Sequence, residues 1–260
     1  MESDKSNIER IAGDFSPMPQ AGIPDPSPQE LKAAAADPAL NEDLALLLLK
    51  RNDLPAEILE LVSKNGAVAK SRKVKLALVG HPRTPRHLSV PMLRALFTFD
   101  LMQVALAPRV PADVKLAAEE TLIHRLGTIS IGERLSLARR ASGRISGELL
   151  LDAEARVVST ALENSRLTEA AVIRVLMRQD SPARVVELVC HHPKWSVRRE
   201  VRVALLRNQF TPLERALDFA RSLPVSLLPE ILDTSRLPAP IKARLFWLKE
   251  MQGAEEGKEP

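Results

Sequence analysis

Along most of this chain, apolar residues recur at the spacing of short amphipathic helices. The clearest case is Val197 to Asn208. There Val197, Val201, Ala204 and Leu205 fall at i, i+4, i+7 and i+8 and predict one buried face. Arg198, Arg199, Arg202 and Arg207 take the other faces. Helix starts are marked by capping residues. Thr211-Pro212-Leu213-Glu214 and Ser27-Pro28-Gln29-Glu30 predict capping boxes with proline at the first helical position. Ser130-Ile131-Gly132-Glu133 keeps the Ser and Glu, and Thr84-Pro85, Ser181-Pro182 and Thr168 are partial versions. Nothing alternates cleanly between turn signals, so no strand is predicted. The pattern amounts to an all-α fold of about a dozen helices.

The ends differ. Residues 1–27 include SPMPQAGIPDPSP, rich in Pro and Ser and without an apolar period, and are expected to form a disordered acidic arm. The helical domain is expected over 28–251, with an acidic tail over 252–260.

Within the helical region one line is written twice. VRVALLRNQFTP (201–212) and VKLALVGHPRTP (74–85) agree position by position across a separation of 127 residues. Related helix-start signals stand at NDLP (52–55), PRTP (82–85), PRVP (108–111), SRLT (165–168), QFTP (209–212) and SRLP (235–238). Pro55 to Pro85 is 30 residues, and Pro85 to Pro111 and Pro212 to Pro238 are 26 each. The longer central gap holds a candidate degenerate unit, GTISIGERL (127–135). Recurrence of this length predicts a solenoid, in which each unit buries its apolar face against the next.

Pro193-Lys194-Trp195-Ser196-Val197-Arg198-Arg199, followed by Val201, Ala204, Asn208, Thr211 and Pro212, resembles the unit of the leucine-rich repeat variant family, a helical relative of HEAT and armadillo repeats. Val74, Ala77, His81, Thr84, Pro85 and Leu88 match in part, with His81 in the place of Asn. Leu54 and Leu237 stand where the family has Thr. The resemblance implies a right-handed helical-repeat solenoid in which Trp195 packs between neighbouring units. Some relatives carry a cysteine-rich metal cluster, which the single Cys190 excludes here.

Composition agrees with packed helices. Hydrophobic residues make up 45% of the chain and aromatics only 3%, with no Tyr, so the core must be mostly Leu, Val and Ala. One cysteine fits a reducing compartment. The N-terminal MESDKSNIER does not have the character of a secretory signal, and the longest apolar run, LALLLL (44–49), is too short to span a bilayer. A cytoplasmic protein without membrane contact is expected. The net charge of +4 hides segregation: residues 1–43 carry −6 and 249–260 carry −2, which leaves +12 on 44–248. Leu61 to Phe99 holds eight Lys or Arg and no acid.

No P-loop, GxGxxG, HExxH or CxxC occurs. Cys190-His191-His192 is the only cluster of soft ligands, and consecutive helical residues diverge too far to converge on one metal. It reads as a helix end with His near the last carbonyls. Glu119-Glu120 and Asp152/Glu154 read as exposed helix charges. Catalysis, metal and cofactor are therefore not expected. The candidate partner-binding residues are Lys70, Arg72, Lys73, Lys75, Arg83, Arg86, Lys194, Trp195, Arg198, Arg199 and Arg202. Three readings follow. The first is a scaffold for a protein or peptide partner, possibly acidic. The second is nucleic-acid binding through a basic groove masked by the acidic arm. The third is a HEAT-like DNA glycosylase that stacks a base on Trp195.

Overall fold

The computed structural model describes residues 27–256, and among them sixteen α-helices and one 3-10 turn (Val225–Leu227) follow one another without a strand. Odd-numbered helices are α1 (Pro28–Ala36), α3 (Ala56–Lys64), α5 (Arg86–Leu93), α7 (Ala112–Arg125), α9 (Gly143–Leu149), α11 (Glu169–Met177), α13 (Arg199–Arg207) and α15 (Leu228–Asp233). Even-numbered helices are α2 (Glu42–Leu49), α4 (Arg72–Gly80), α6 (Thr98–Leu106), α8 (Ile131–Arg140), α10 (Ala155–Leu162), α12 (Ala183–His191), α14 (Leu213–Arg221) and α16 (Ala239–Glu256). The last helix runs into the stretch read from sequence as a tail. Most of these helices have ten residues or fewer, too short to be stable alone in water. They are held by stacking: α1 packs on α3, α2 on α4, α4 on α6, α7 on α9, α8 on α10, α9 on α11, α11 on α13 and α14 on α16. Alternate helices therefore form two layers in a repeat-like, all-helical architecture.

The core is Leu, Val and Ala, as the composition requires. It falls into two clusters, one from Ala35 to Leu78 and one from Val79 to Leu245. They meet at α4, where Leu78 faces the first and Val79 the second, and Met92 packs against both.

The twin lines fold alike. Val74 and Val201 are fully buried, and so, to within 1%, are Leu78 and Leu205. Thr84 Oγ1 donates to the Leu78 carbonyl at 2.5 Å, and Thr211 Oγ1 donates to the Leu205 carbonyl at 2.6 Å. Their helices, α4 and α13, are an odd number of helices apart and so stand in opposite layers.

A ladder of side chains ties five of the helix ends back to the helix two before or to the residues just after it. Asn65 Nδ2 donates to the Ala35 and Asp37 carbonyls, His81 Nε2 contacts the Arg51 carbonyl at 2.8 Å, and Asn164 Nδ2 donates to the Ala138 carbonyl. Asn208 Nδ2 reaches the Leu176 carbonyl at 2.6 Å and Ser235 Oγ the Leu206 carbonyl at 2.7 Å. Each of these side chains also accepts from the backbone N–H two residues on. That contact holds His81 as the Nε2–H tautomer, equivalent to an Asn amide. Each rung satisfies a helix C-terminal carbonyl that otherwise lacks a partner.

Two expectations fail locally. Val197 is 61% exposed, because α13 begins only at Arg199 and Val197 lies in the preceding turn. The buried face is Val201, Ala204, Leu205 and Leu206. Thr84 and Thr211 do not cap the helices that follow them. Pro85 and Pro212 occupy the N-cap with extended backbone, and the Thr hydroxyls cap the preceding helices instead. Ser27 and Ser130 do form the expected capping boxes.

Candidate interaction surface

Most of the cations singled out in sequence are engaged with neighbouring units. Arg72 holds Asp100 through two hydrogen bonds of 2.7 Å, across 28 residues, and lies 4.8 Å over the Phe97 ring. Those bonds keep the buried Asp100 carboxyl below its ordinary range. Lys73 pairs with Glu42 at 2.7 Å, which raises the Lys73 ammonium and, with the Ser71 hydroxyl, lowers the Glu42 carboxyl. Arg86 meets Asp113 at 3.1 Å, Arg198 meets Glu169 at 2.7 Å, and Arg83 donates to the Asp53 carbonyl. The acid-free stretch Leu61 to Phe99 thus finds its carboxylates one unit before or after it. Exposed pairs of this kind add only about 0–1 kcal/mol each. Lys70, Lys75 and Arg199 make no ion pair among the described residues.

Trp195 is 1% exposed, and its indole N–H donates to the Leu162 carbonyl at 2.9 Å. Lys194 Nζ lies 4.2 Å from its ring centroid and Arg198 at 5.5 Å. Arg202 turns away, with Nε donating to the Ser196 carbonyl. The indole therefore packs between units and offers no open face for a base.

The carboxylates read as exposed helix charges divide. Glu120 and Glu154 are exposed, but Glu119 is 8% exposed, accepts from the Ser142 hydroxyl and lies 3.7 Å from Arg144. The Asp152 side chain is 4% exposed and is gripped by Arg134 at 2.9 Å. Both are structural ion pairs, one joining α7 to α9 and the other joining α8 to the turn after α9. Cys190-His191-His192 ends α12, with His191 Nδ1 contacting the Glu187 carbonyl. Burial pushes the Cys190 thiol up to about 12. No group of three metal-ligating side chains occurs among the described residues.

A large cleft lies elsewhere among the described residues. It has a volume of about 740 Å³ and opens across α2, α4 and α6, three successive helices of one layer, mostly at their C-terminal halves but reaching Lys73 near the start of α4. Its floor is apolar: Leu46 and Leu49 from α2, Leu76 and Ala77 from α4, Val104 from α6 and Ala107 beyond it. Gly80 gives it depth, because a Cβ there would meet nothing within 4 Å. The other copy of the line has Arg207 at this place. Every charged side chain lining the cleft is basic: Lys50, Lys73 and Arg109. Arg109 Nη1 donates to Asn52 Oδ1 at 3.3 Å across 57 residues and closes one end. Smaller clefts continue on the same layer along α8, beside Arg139 and Arg140, and between α10 and α12.

Of the eleven residues singled out in sequence, only Lys73 lines this cleft. The signals that could have found it are the run LALLLL, apolar beyond one helical stripe, and Gly80 where the twin line has Arg207. No helix among the described residues is long and apolar enough to cross a membrane. No protein-family model, curated protein or solved structure matches the chain.

Proposed function

We propose that this protein is a non-catalytic, right-handed α-solenoid of the leucine-rich repeat variant kind, acting in the cytoplasm as a scaffold for a protein or peptide partner. The observation that carries this reading is the apolar cleft across α2, α4 and α6. A cleft of this size and character is where binding sites of folded proteins concentrate. The described residues bring no nucleophile–base pair to it. The glycosylase reading loses its stacking platform with Trp195 covered. The nucleic-acid reading loses much of its basic groove to ion pairs between units.

The test uses Gly80→Leu in the full chain. At the end of α4 a Cβ on residue 80 meets nothing within 4 Å, so leucine there can extend into the open cleft, and its melting temperature is expected to equal or exceed that of wild type. Wild type is expected to co-purify a specific protein that Gly80→Leu loses. Equal sets of co-purified proteins would overturn the reading. So would tight, salt-sensitive binding of wild type to duplex DNA.

A further inference from the structure

Resting on the scaffold reading above, we infer that the occupant of the α2/α4/α6 cleft is an acidic peptide segment. Its apolar side chains would seat on the Leu46, Leu49, Leu76 and Val104 floor, and its carboxylates would meet Lys50, Lys73 and Arg109.

Charge and shape both support this. The lining contains three cations and no acid. Lys50 makes no ion pair among the described residues, and Lys73 already holds a carboxylate, that of Glu42, at 2.7 Å. The helix C-termini at the cleft work against an acidic ligand. Each carries the equivalent of roughly half a negative charge, and part of that is neutralised by backbone capping. The Thr84 hydroxyl caps α4, and His81 reaches the Arg51 carbonyl beyond α2. Lys50 and Arg109, two whole cations with no ion pair among the described residues, outweigh those partial charges, and the low-dielectric floor strengthens their pull.

The geometry also sets a length. Packed helices lie 8–10 Å apart, so a cleft across three of them spans roughly 20 Å. That is about six residues of extended chain or thirteen of helix. A partner segment of this length with apolar residues at every second, or every third and fourth, position would fill the floor and leave its acidic positions at the rim.

The experiment measures fluorescence anisotropy with the full chain and three labelled thirteen-residue peptides: an amphipathic Leu/Glu sequence, its Leu/Lys counterpart, and a Ser/Glu sequence of the same charge. The Leu/Glu peptide is expected to bind at least tenfold more tightly than either control. Lys50→Glu should weaken it several-fold and Gly80→Leu at least tenfold, with both variants melting within a few degrees of wild type. Equal or tighter binding of Leu/Lys, still blocked by Gly80→Leu, would overturn the acidic occupant and leave the cleft as the site. Binding of Leu/Glu that ignores Gly80→Leu would overturn the cleft itself. No measurable binding of Leu/Glu at low salt would overturn the inference.

Discussion

Asn208 donates from Nδ2 to the carbonyl of Leu176, 2.6 Å away and 32 residues earlier in the chain. The side chain is 1% exposed and also accepts from the Phe210 N–H. One amide thus ends α13, shapes the turn after it and ties it to α11. His81 does the same for α4 against the Arg51 carbonyl beyond α2. Asn208→Ala leaves the Leu176 carbonyl buried without its donor, which costs about 1–3 kcal/mol. Asn208→His should recover part of that loss, and His81→Asn should be close to neutral. Chemical unfolding of the four chains measures this, and an alanine variant as stable as wild type would show that the ladder carries no energy.

Ala204 faces the seam between α13 and its neighbours and is 2% exposed. Ala204→Asp places a carboxylate there with no partner, at a cost of about 3 kcal/mol or more. The melting midpoint should fall by roughly 6–12 °C, given 2–4 °C per kcal/mol for a chain of this size. Val197→Asp, in the exposed turn just before the helix, should leave it unchanged. Equal losses from both would put the inward face of α13 elsewhere.

Asp100 gives the chain an acid-sensitive contact. Its hydrogen bonds with Arg72 hold its carboxyl below the ordinary value of 3.8, so the folded state favours the charged form. The contribution is complete above the unfolded value and is lost as pH falls below 3.8 toward the folded value. Asp100→Asn should lower stability at neutral pH and flatten the decline in the acid range. Unfolding midpoints across that range decide it: parallel curves for the two chains would exclude Asp100 from the acid transition.

How much of this was legible beforehand depends on whether the signal is local. The twin lines, the Ser27 and Ser130 capping boxes and the Asn-like place of His81 could be read from adjacent residues. Local chemistry decides each of them. The ion pairs could not be read that way. Arg72 and Asp100 are 28 residues apart, and only the stacking shows that a stretch without acids borrows them from the next unit. The Thr-Pro pairs misled because Thr84 and Thr211 cap the helix behind them rather than the one ahead. The cleft was the least legible feature. It is a gap left by small residues, Ala77 and Gly80, between helices that the sequence presents far apart.

The two tryptophans report on opposite environments. Trp195 is 1% exposed and Trp247 is 49% exposed, with Arg244 4.9 Å from its ring centroid. In Trp247→Phe the remaining indole should emit at short wavelength and resist acrylamide. In Trp195→Phe it should emit at long wavelength and be quenched readily. Similar quenching of the two variants would contradict the burial of Trp195 between units.

Cys190 is buried, and burial pushes its thiol up to about 12. Only the thiolate reacts at an appreciable rate, so the native chain should resist iodoacetamide at mildly alkaline pH and react fully in denaturant. Rapid labelling of the native chain would mean that the end of α12 opens.

The most direct test of the central claim, that the α2/α4/α6 cleft receives the partner, is hydrogen–deuterium exchange of the full chain with and without the Leu/Glu peptide. The account predicts protection confined to the segments around residues 46–52, 76–82 and 103–110, which line the cleft. Protection centred on α11 to α13, beside Lys194 and Arg199, would contradict it and return the binding surface to the basic residues around Trp195.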